Sequence, residues 1–230
     1  MSLEMQAILG RKIGMSQVFE EGGACVAVTL IEAGPCIVLK SYPKNNLQKV
    51  QLGFDELPKE ARKNRLKKPQ LGYFAKVNVS PKKFIKEVSL DAEKAPAVGS
   101  QVTVEIFKKG DYVDISGVSI GKGFQGGMKR WHWSGGSRTH GSTSKRRVGS
   151  IGASASPSRV FKRQHMPGHM GCRNMTVQSL KVAGVQKEEN LLIVRGAVMG
   201  HKDSYLVIKK SIKRSPKPTG ETPGAKEQSK

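Results

Sequence analysis

Between Asp114 and Glu188 the chain has no acidic residue, yet this stretch carries thirteen Lys and Arg side chains and four of the five His. A solvated or salt-bridged surface would interleave Asp and Glu among such bases. Charge of one sign over this length requires counter-charge from outside the chain. The stretch therefore predicts contact with a polyanion, and it cannot be buried in a hydrophobic core.

Glycine restricts the same stretch further, because twelve glycines lie between Gly117 and Gly171. They remove any helical period, and the few apolar residues do not alternate as they would in a strand. A segment this long without a core of its own is improbable inside a compact domain. We therefore predict a long, basic, extended arm over residues 117–176, which leaves the domain and takes its shape from a partner.

The rest of the chain predicts one globular domain, since 230 residues with 37% hydrophobic content suffice for one ordinary core. Short apolar runs between Gly-containing turns indicate strands. These runs are 6–11, 16–19, 24–31, 36–40, 50–54, 101–107, 112–115, 177–185, 191–194 and 205–208. About eight to ten short strands indicate a closed barrel. The predicted fold is mainly β, with a barrel domain built from residues 1–54 and 91–212.

Two other segments differ from these strands in amino-acid composition. Residues 55–90 are predicted to form a small insertion with one short helix over 58–66, because Pro58 suits a helix start, whereas Pro69, Gly72 and Pro81 interrupt the remainder of the segment. Residues 213–230 are polar and rich in Pro and Gly. This composition predicts a disordered tail.

The net charge of +22 suits nucleic acid or an anionic membrane. No apolar run approaches the ~20 residues of a spanning helix, and no signal peptide opens the sequence. We therefore expect a cytoplasmic protein with no membrane partner. Three cysteines without C-x-x-C spacing indicate reduced, structural thiols rather than a disulfide framework or zinc ribbon.

Motifs for cofactors and catalysis are incomplete. Gly121–Gly126 fits G-x-G-x-x-G, but no acidic residue follows about 20 positions later to hold a ribose. Ser142 and Lys145 have S-x-x-K spacing without the companion motifs of acyl-serine hydrolases. His165, His169 and Cys172 have spacing that could reach zinc, although a Pro-Gly pair separates the histidines and no fourth ligand is evident. We predict no cofactor, metal, small-molecule substrate or enzymatic activity.

The two tryptophans, Trp131 and Trp133, lie among bases and next to Gly135 and Gly136. A buried core pair is the ordinary interpretation for tryptophans, but these have no apolar neighbours in sequence. Stacking on bases, on sugars or on the arm's own cations is the interpretation that we prefer.

Several motifs resemble the bacterial-type family of large-subunit ribosomal protein L-three. They are Leu9–Phe19, Gly121–Arg130, Thr139–Ser142, Gly149–Ser154 and Met166–Gly171, and the resemblance runs from about Ala7 to Ile208. It implies a translation-protein-type β-barrel on the surface of the large subunit and an arm that threads through large-subunit rRNA toward the peptidyl-transferase centre. It also implies early binding during assembly, the neighbours L-fourteen and L-nineteen, and no catalytic side chain.

The resemblance and the charge pattern together select two groups of candidate residues. The candidate rRNA-binding residues are Lys122, Phe124, Gln125, Lys129, Arg130, Trp131, His132, Trp133, Arg138, His140, Lys145, Arg146, Arg147, Arg159, Lys162, Arg163, His165, His169 and Arg173. The candidate tip near the peptidyl-transferase centre is Gly152, Ala153, Ser154, Ala155, Ser156 and Pro157. The alternative function is a DNA-binding architectural protein of the nucleoid, although no helix-turn-helix pattern supports it.

Overall fold

The computed structural model describes residues 6–20, 22–44, 47–90 and 96–214. It divides into two compact units, of which one runs up to Val118 and resumes at Asn174, and the other is Ser119–Arg173. The predicted disordered tail, 213–230, lies outside the described residues apart from Lys213 and Arg214.

The chain is mainly β, as predicted. In order, its elements are β1 (Ala7–Phe19), β2 (Cys25–Ala33), β3 (Cys36–Lys44), β4 (Leu47–Glu56), α1 (Lys59–Arg65), α2 (Lys68–Val77), β5 (Lys82–Leu90), β6 (Gln101–Val102), a 3₁₀ turn (Val104–Ile106), β7 (Tyr112–Val118), β8 (Gly123–Gln125), α3 (Gly127–Trp131), β9 (Gly168–Met170), β10 (Asn174–Gln186), β11 (Leu191–Arg195) and β12 (Tyr205–Lys210).

The larger unit contains a closed antiparallel barrel with the strand order β1-β12-β7-β10-β11-β2. The predicted barrel is confirmed, but it has six strands rather than eight to ten. The other strands of this unit form a separate antiparallel sheet with the order β5-β4-β3-β6. Alternating apolar residues identify a strand without identifying the sheet that it joins, which explains the difference.

The segment between the barrel strands β2 and β7 is longer than the predicted insertion 55–90. It contains all the elements from β3 to β6. Helix α1 confirms the helix predicted near 58–66, whereas α2 was not predicted. Pro69 lies in the first turn of α2, where a backbone N–H has no intrahelical partner, so proline is tolerated there. Strand β5 was also missed, since its lysines interrupt the apolar alternation.

One hydrophobic core joins the barrel to the four-stranded sheet. Leu9 and Leu206 from the barrel and Leu52 from the sheet are all fully buried in it. At the edge of this core the ring of Tyr205 stacks on Phe84 with centroids 4.6 Å apart. The Tyr205 hydroxyl donates a hydrogen bond of 2.6 Å to Asp55. These contacts fix β12 against β4 and β5.

Strand β1 is continuous over Lys12–Met15, the Gly-containing segment that was predicted to be a turn between the strands 6–11 and 16–19. Its pairing with β2 shifts register between Lys12 and Gly14, so a β-bulge replaces the expected turn. The Lys12 ammonium lies inside the unit and donates to the carbonyls of Val198 (2.7 Å) and Gly200 (2.9 Å). Burial lowers the pKa of Lys12. The bulge therefore coincides with a buried cation that holds the loop before β12.

The run 101–107 was predicted as one strand, but only Gln101 and Val102 pair in the sheet. The 3₁₀ turn that follows places Val104 and Phe107 three residues apart, and both are buried. This spacing fits a helical turn better than a strand, in which they would point to opposite faces.

Cys36 is the basis of a test of the packing. Burial raises the pKa of this thiol to about 12, so roughly one in 10⁴ molecules carries the thiolate at pH 8. Cys25 and Cys172 are exposed. We expect iodoacetamide at pH 8 to label two cysteines in the native protein and all three in denaturant, measured by intact mass. Rapid labelling of the third thiol in native protein would contradict the packing at Cys36.

Candidate nucleic-acid interface

The two ends of Ser119–Arg173 form an antiparallel pair of strands, and the segments that lead from this pair to the candidate tip are called its two limbs. Strand β8 pairs with β9, with Gly123 opposite Met170 and Phe124 opposite His169. Outside this pair, the Ser119 N–H donates to the Arg173 carbonyl over 2.9 Å. The unit thus has local secondary structure that its glycine content did not predict.

Helix α3 follows β8 and brings aromatic and basic residues together. The rings of Trp131 and His165 stack, with centroids 4.1 Å apart and 9° between the planes. The Arg130 guanidinium lies 5.0 Å from the centroid of the Trp131 ring. Both Trp131 Nε1 (2.8 Å) and Arg130 Nη1 (2.7 Å) donate to the Met166 carbonyl. Trp131 therefore stacks on the unit's own basic residues and links its two limbs.

Trp133, two residues beyond the end of α3, packs against Gly127 at its start. Gly127 is the single buried residue of Ser119–Arg173, and a Cβ atom there would collide with the Trp133 ring. Further along, the Gly136 N–H donates to the Lys145 carbonyl over 3.1 Å. These contacts hold the segment after α3, although the unit has no hydrophobic core.

Gly127→Ala is expected to displace Trp133, because the added methyl group occupies the space of its ring; overpacking of this kind costs about 1–3 kcal/mol. The measurement is the tryptophan emission maximum in a Trp131→Phe background, in which Trp133 is the remaining tryptophan and its environment sets the emission. A red shift is expected. Gly126→Ala is the matched control, since a Cβ atom at Gly126 meets nothing within 4 Å. Identical emission from both variants would contradict the contact.

The candidate cations of this unit have no carboxylate partner within the described part of the chain. No ion pair among residues 6–20, 22–44, 47–90 and 96–214 involves Ser119–Arg173. Four candidates are partly buried, namely Gln125, Arg130, Trp131 and Trp133. The exposed ones are Lys122, Phe124, Lys129, His132, Arg138, His140, Lys145, Arg146, Arg147, Arg159, Lys162, Arg163, His165, His169 and Arg173. The surface is therefore cationic and open to an external anion.

The candidate tip, Gly152 to Pro157, is exposed at every residue. The Ser150 hydroxyl, two residues before the tip, donates to the carbonyl of Gly152, the first tip residue, over 3.2 Å. After it, the Arg159 guanidinium lies 5.4 Å from the centroid of the Phe161 ring. The tip itself carries small, uncharged side chains between cationic limbs.

A comparison with known protein families matches residues 67–191 to the family described as Ribosomal protein L3. The match covers 125 of the 230 residues, including all of Ser119–Arg173. The chain belongs to the ribosomal protein L3 family. Its place is therefore in the large ribosomal subunit, as a structural ribosomal protein. The family resemblance is confirmed, and the matched residues include all of its motifs except Leu9–Phe19.

For this member of the L3 family, the structure adds contacts that sequence reasoning missed. The Met166 carbonyl accepts hydrogen bonds from both Arg130 and Trp131, although Met166 lies 35 residues beyond Trp131. A partly buried tryptophan N–H needs an acceptor, so a partner could be expected, but nothing in the sequence identifies it. The role of Gly127 was likewise invisible among eleven neighbouring glycines.

The spacing of His165, His169 and Cys172 raised the possibility of a zinc site. Within the described part of the chain, no three His, Cys, Asp or Glu side chains are grouped closely enough to hold a metal ion. None of the described helices combines the length and apolarity that crossing a bilayer requires.

Proposed function

We propose that the chain binds large-subunit rRNA directly through Ser119–Arg173, helps to nucleate assembly of the subunit, and extends this arm toward the peptidyl-transferase centre. The observation that carries the proposal is an acid-free unit whose cations have no ion-pair partner among the described residues. rRNA phosphates supply the missing counter-charge, and release of their counterions favours binding.

The aromatic residues support RNA as the polyanion. Phe124 is 77% exposed and lies opposite His169 on the β8–β9 pair. Unstacked RNA bases stack on such exposed rings, whereas duplex DNA keeps its bases paired. The partly buried Trp131 and Trp133 are occupied within the unit and act by shaping it rather than by receiving a base.

The proposed role is structural. As the family resemblance implies, peptide-bond chemistry near the tip belongs to RNA, and the small, uncharged side chains of the tip itself offer no general acid or base. We further propose that the protein acts in cytoplasmic ribosomes, beside L-fourteen and L-nineteen, as the family resemblance implies.

The test removes the triplet Lys145, Arg146 and Arg147 by substitution with Gln. Each phosphate contact adds about 0.7–0.9 to the slope of log affinity against log salt, so we expect the slope for large-subunit rRNA to fall by about two to three units. The matched control is Lys108→Gln/Lys109→Gln/Lys202→Gln, which removes three exposed charges from the other unit.

An unchanged slope for the triplet variant would show that these side chains do not contact RNA. Duplex DNA is measured in parallel. Equal affinity for DNA and rRNA would favour the alternative, an architectural protein of the nucleoid.

A further inference from the structure

A separate excess of positive charge lies in the larger unit, around α1 and α2. Residues 55–90 contain ten Lys and Arg but only four Asp and Glu. Two of these acids are already engaged. Asp55 accepts from Tyr205 and lies 3.5 Å from Lys83, and Glu56 pairs with Arg62 (3.0 Å) and Lys82 (3.6 Å).

Five of the other described cations are exposed on or directly beside the two helices. We define the helical basic surface as five exposed residues with no carboxylate within 4.0 Å among the described residues: Lys59, Arg65, Lys67, Lys68 and Lys76. Their placement follows from the packing of α2. Phe74 is buried, and the Tyr73 hydroxyl donates to Gln51 of β4, which turns this side of α2 toward the sheet.

The opposite side of α2 combines lysines with small residues. Lys68, Gly72, Ala75 and Lys76 recur at helical spacing, and all four are exposed. Lys68 and Lys76 are about 12 Å apart along the axis, at 1.5 Å per residue. A Cβ atom at Gly72 would meet nothing within 4 Å. An extended anion could therefore lie against the helix backbone with a lysine at each end.

The charge at the start of α2 also favours an external anion. The first turn contains no acidic residue, and Lys67 and Lys68 lie there. Cations at this end of a helix are repelled by the helix dipole, which is positive there. A bound anion removes that repulsion.

We propose that the helical basic surface is a second RNA-binding surface, which contacts the sugar–phosphate backbone independently of the arm. The proposal rests on the proposed function, in that the partner is the same rRNA. Protein interfaces are depleted of Lys and enriched in aromatic residues. The described side chains of this surface include four Lys and no exposed aromatic ring, which favours RNA over an acidic protein.

The test uses the full chain and transcribed large-subunit rRNA. In the helical variant, Lys67, Lys68 and Lys76 become Gln, which removes three charges and keeps a good helix former. The slope of log affinity against log salt should fall by about two to three units. The control Lys108→Gln/Lys109→Gln/Lys202→Gln should retain the wild-type slope, and circular dichroism verifies the fold of each variant.

Gly72→Gln provides a second, steric test. It adds bulk but no charge, and it raises the helix propensity. If RNA lies against α2, this variant should bind more weakly with a nearly unchanged slope.

The arm variant at Lys145, Arg146 and Arg147 is measured in the same experiment. If the arm variant loses rRNA affinity while the helical variant binds as wild type, this proposal alone is overturned. An acidic protein would then be the remaining candidate ligand of these lysines. Wild-type binding by both variants would overturn the proposed function as well. Equal losses of rRNA affinity in the helical variant and its control would show an effect of net charge only, which would also overturn the proposal. Wild-type affinity of Gly72→Gln would overturn it as well.

Discussion

Replacing Ser119–Arg173 by an Asn-Gly turn is expected to leave a folded barrel that has lost tight binding to large-subunit rRNA. Val118 of β7 and Asn174 of β10 are direct partners in an antiparallel ladder. An Asn-Gly pair closes such a ladder as a two-residue hairpin. The barrel core lies in the larger unit, so the cooperative thermal transition should persist. Affinity at about 0.15 M salt should fall by about 10³-fold or more, because eleven cations are removed.

Thermal unfolding and rRNA affinity are measured on the same protein. The matched control keeps the length of the arm and neutralises only six cations by substitution with Gln: Lys145, Arg146, Arg147, Arg159, Lys162 and Arg163. A large loss of rRNA affinity in both proteins would assign the binding to the charge of the arm. A loss only in the protein that lacks Ser119–Arg173 would assign it to the shape of the arm. Wild-type affinity after excision would rule out the arm as the main RNA contact.

Ser154→Arg at the tip is expected to slow peptidyl transfer about tenfold or more in ribosomes that assemble normally. If the tip lies closest to the peptidyl-transferase centre, its small side chains set the distance between the backbone and rRNA, and a displacement of about 1 Å can cost up to about 100-fold in rate. Ser154 is exposed and distant in sequence from the barrel strands, so the substitution should not disturb folding.

The rate is measured as peptide release with puromycin in purified mutant ribosomes, together with sensitivity to antibiotics that bind at that centre. Sedimentation verifies assembly. Ser154→Ala keeps the side chain small and should behave as wild type. Assembled Ser154→Arg ribosomes with a normal rate and normal sensitivity would place the tip elsewhere.

Local patterns predicted the elements of this fold better than their connections. The bounds that charge and glycine content predicted for an arm, 117–176, lie within three residues of those of the unit Ser119–Arg173. The bulge after Lys12 escaped prediction because glycine suits a turn as well as a continuous strand with an irregularity. Pro69 was interpreted as a helix breaker, yet its position in the first turn makes it compatible with α2. In both cases one residue type has two structural meanings, and only tertiary context selects between them.

The candidate site divides in the same way. The exposure of Lys145, Arg146 and Arg147 could be anticipated, since unpaired charge is rarely buried. The stacking of Trp131 on His165 could not, because it joins residues 34 positions apart in a segment without periodicity. Composition thus predicts which residues meet solvent, whereas the folding of this segment on itself depends on contacts between distant residues.

The position of β12 beside β1 has a kinetic consequence. About 200 residues separate Ala7 from its partner Lys209, so the barrel remains open until the last strand has been synthesised. Until then β1 has an unpaired edge that carries Ile8 and Leu9, and such an edge is prone to join other chains. The arm is synthesised before β12, so a nascent chain has its polycation complete while its barrel is still open. Contact with RNA at that stage would hold the chain in solution while the final strand arrives.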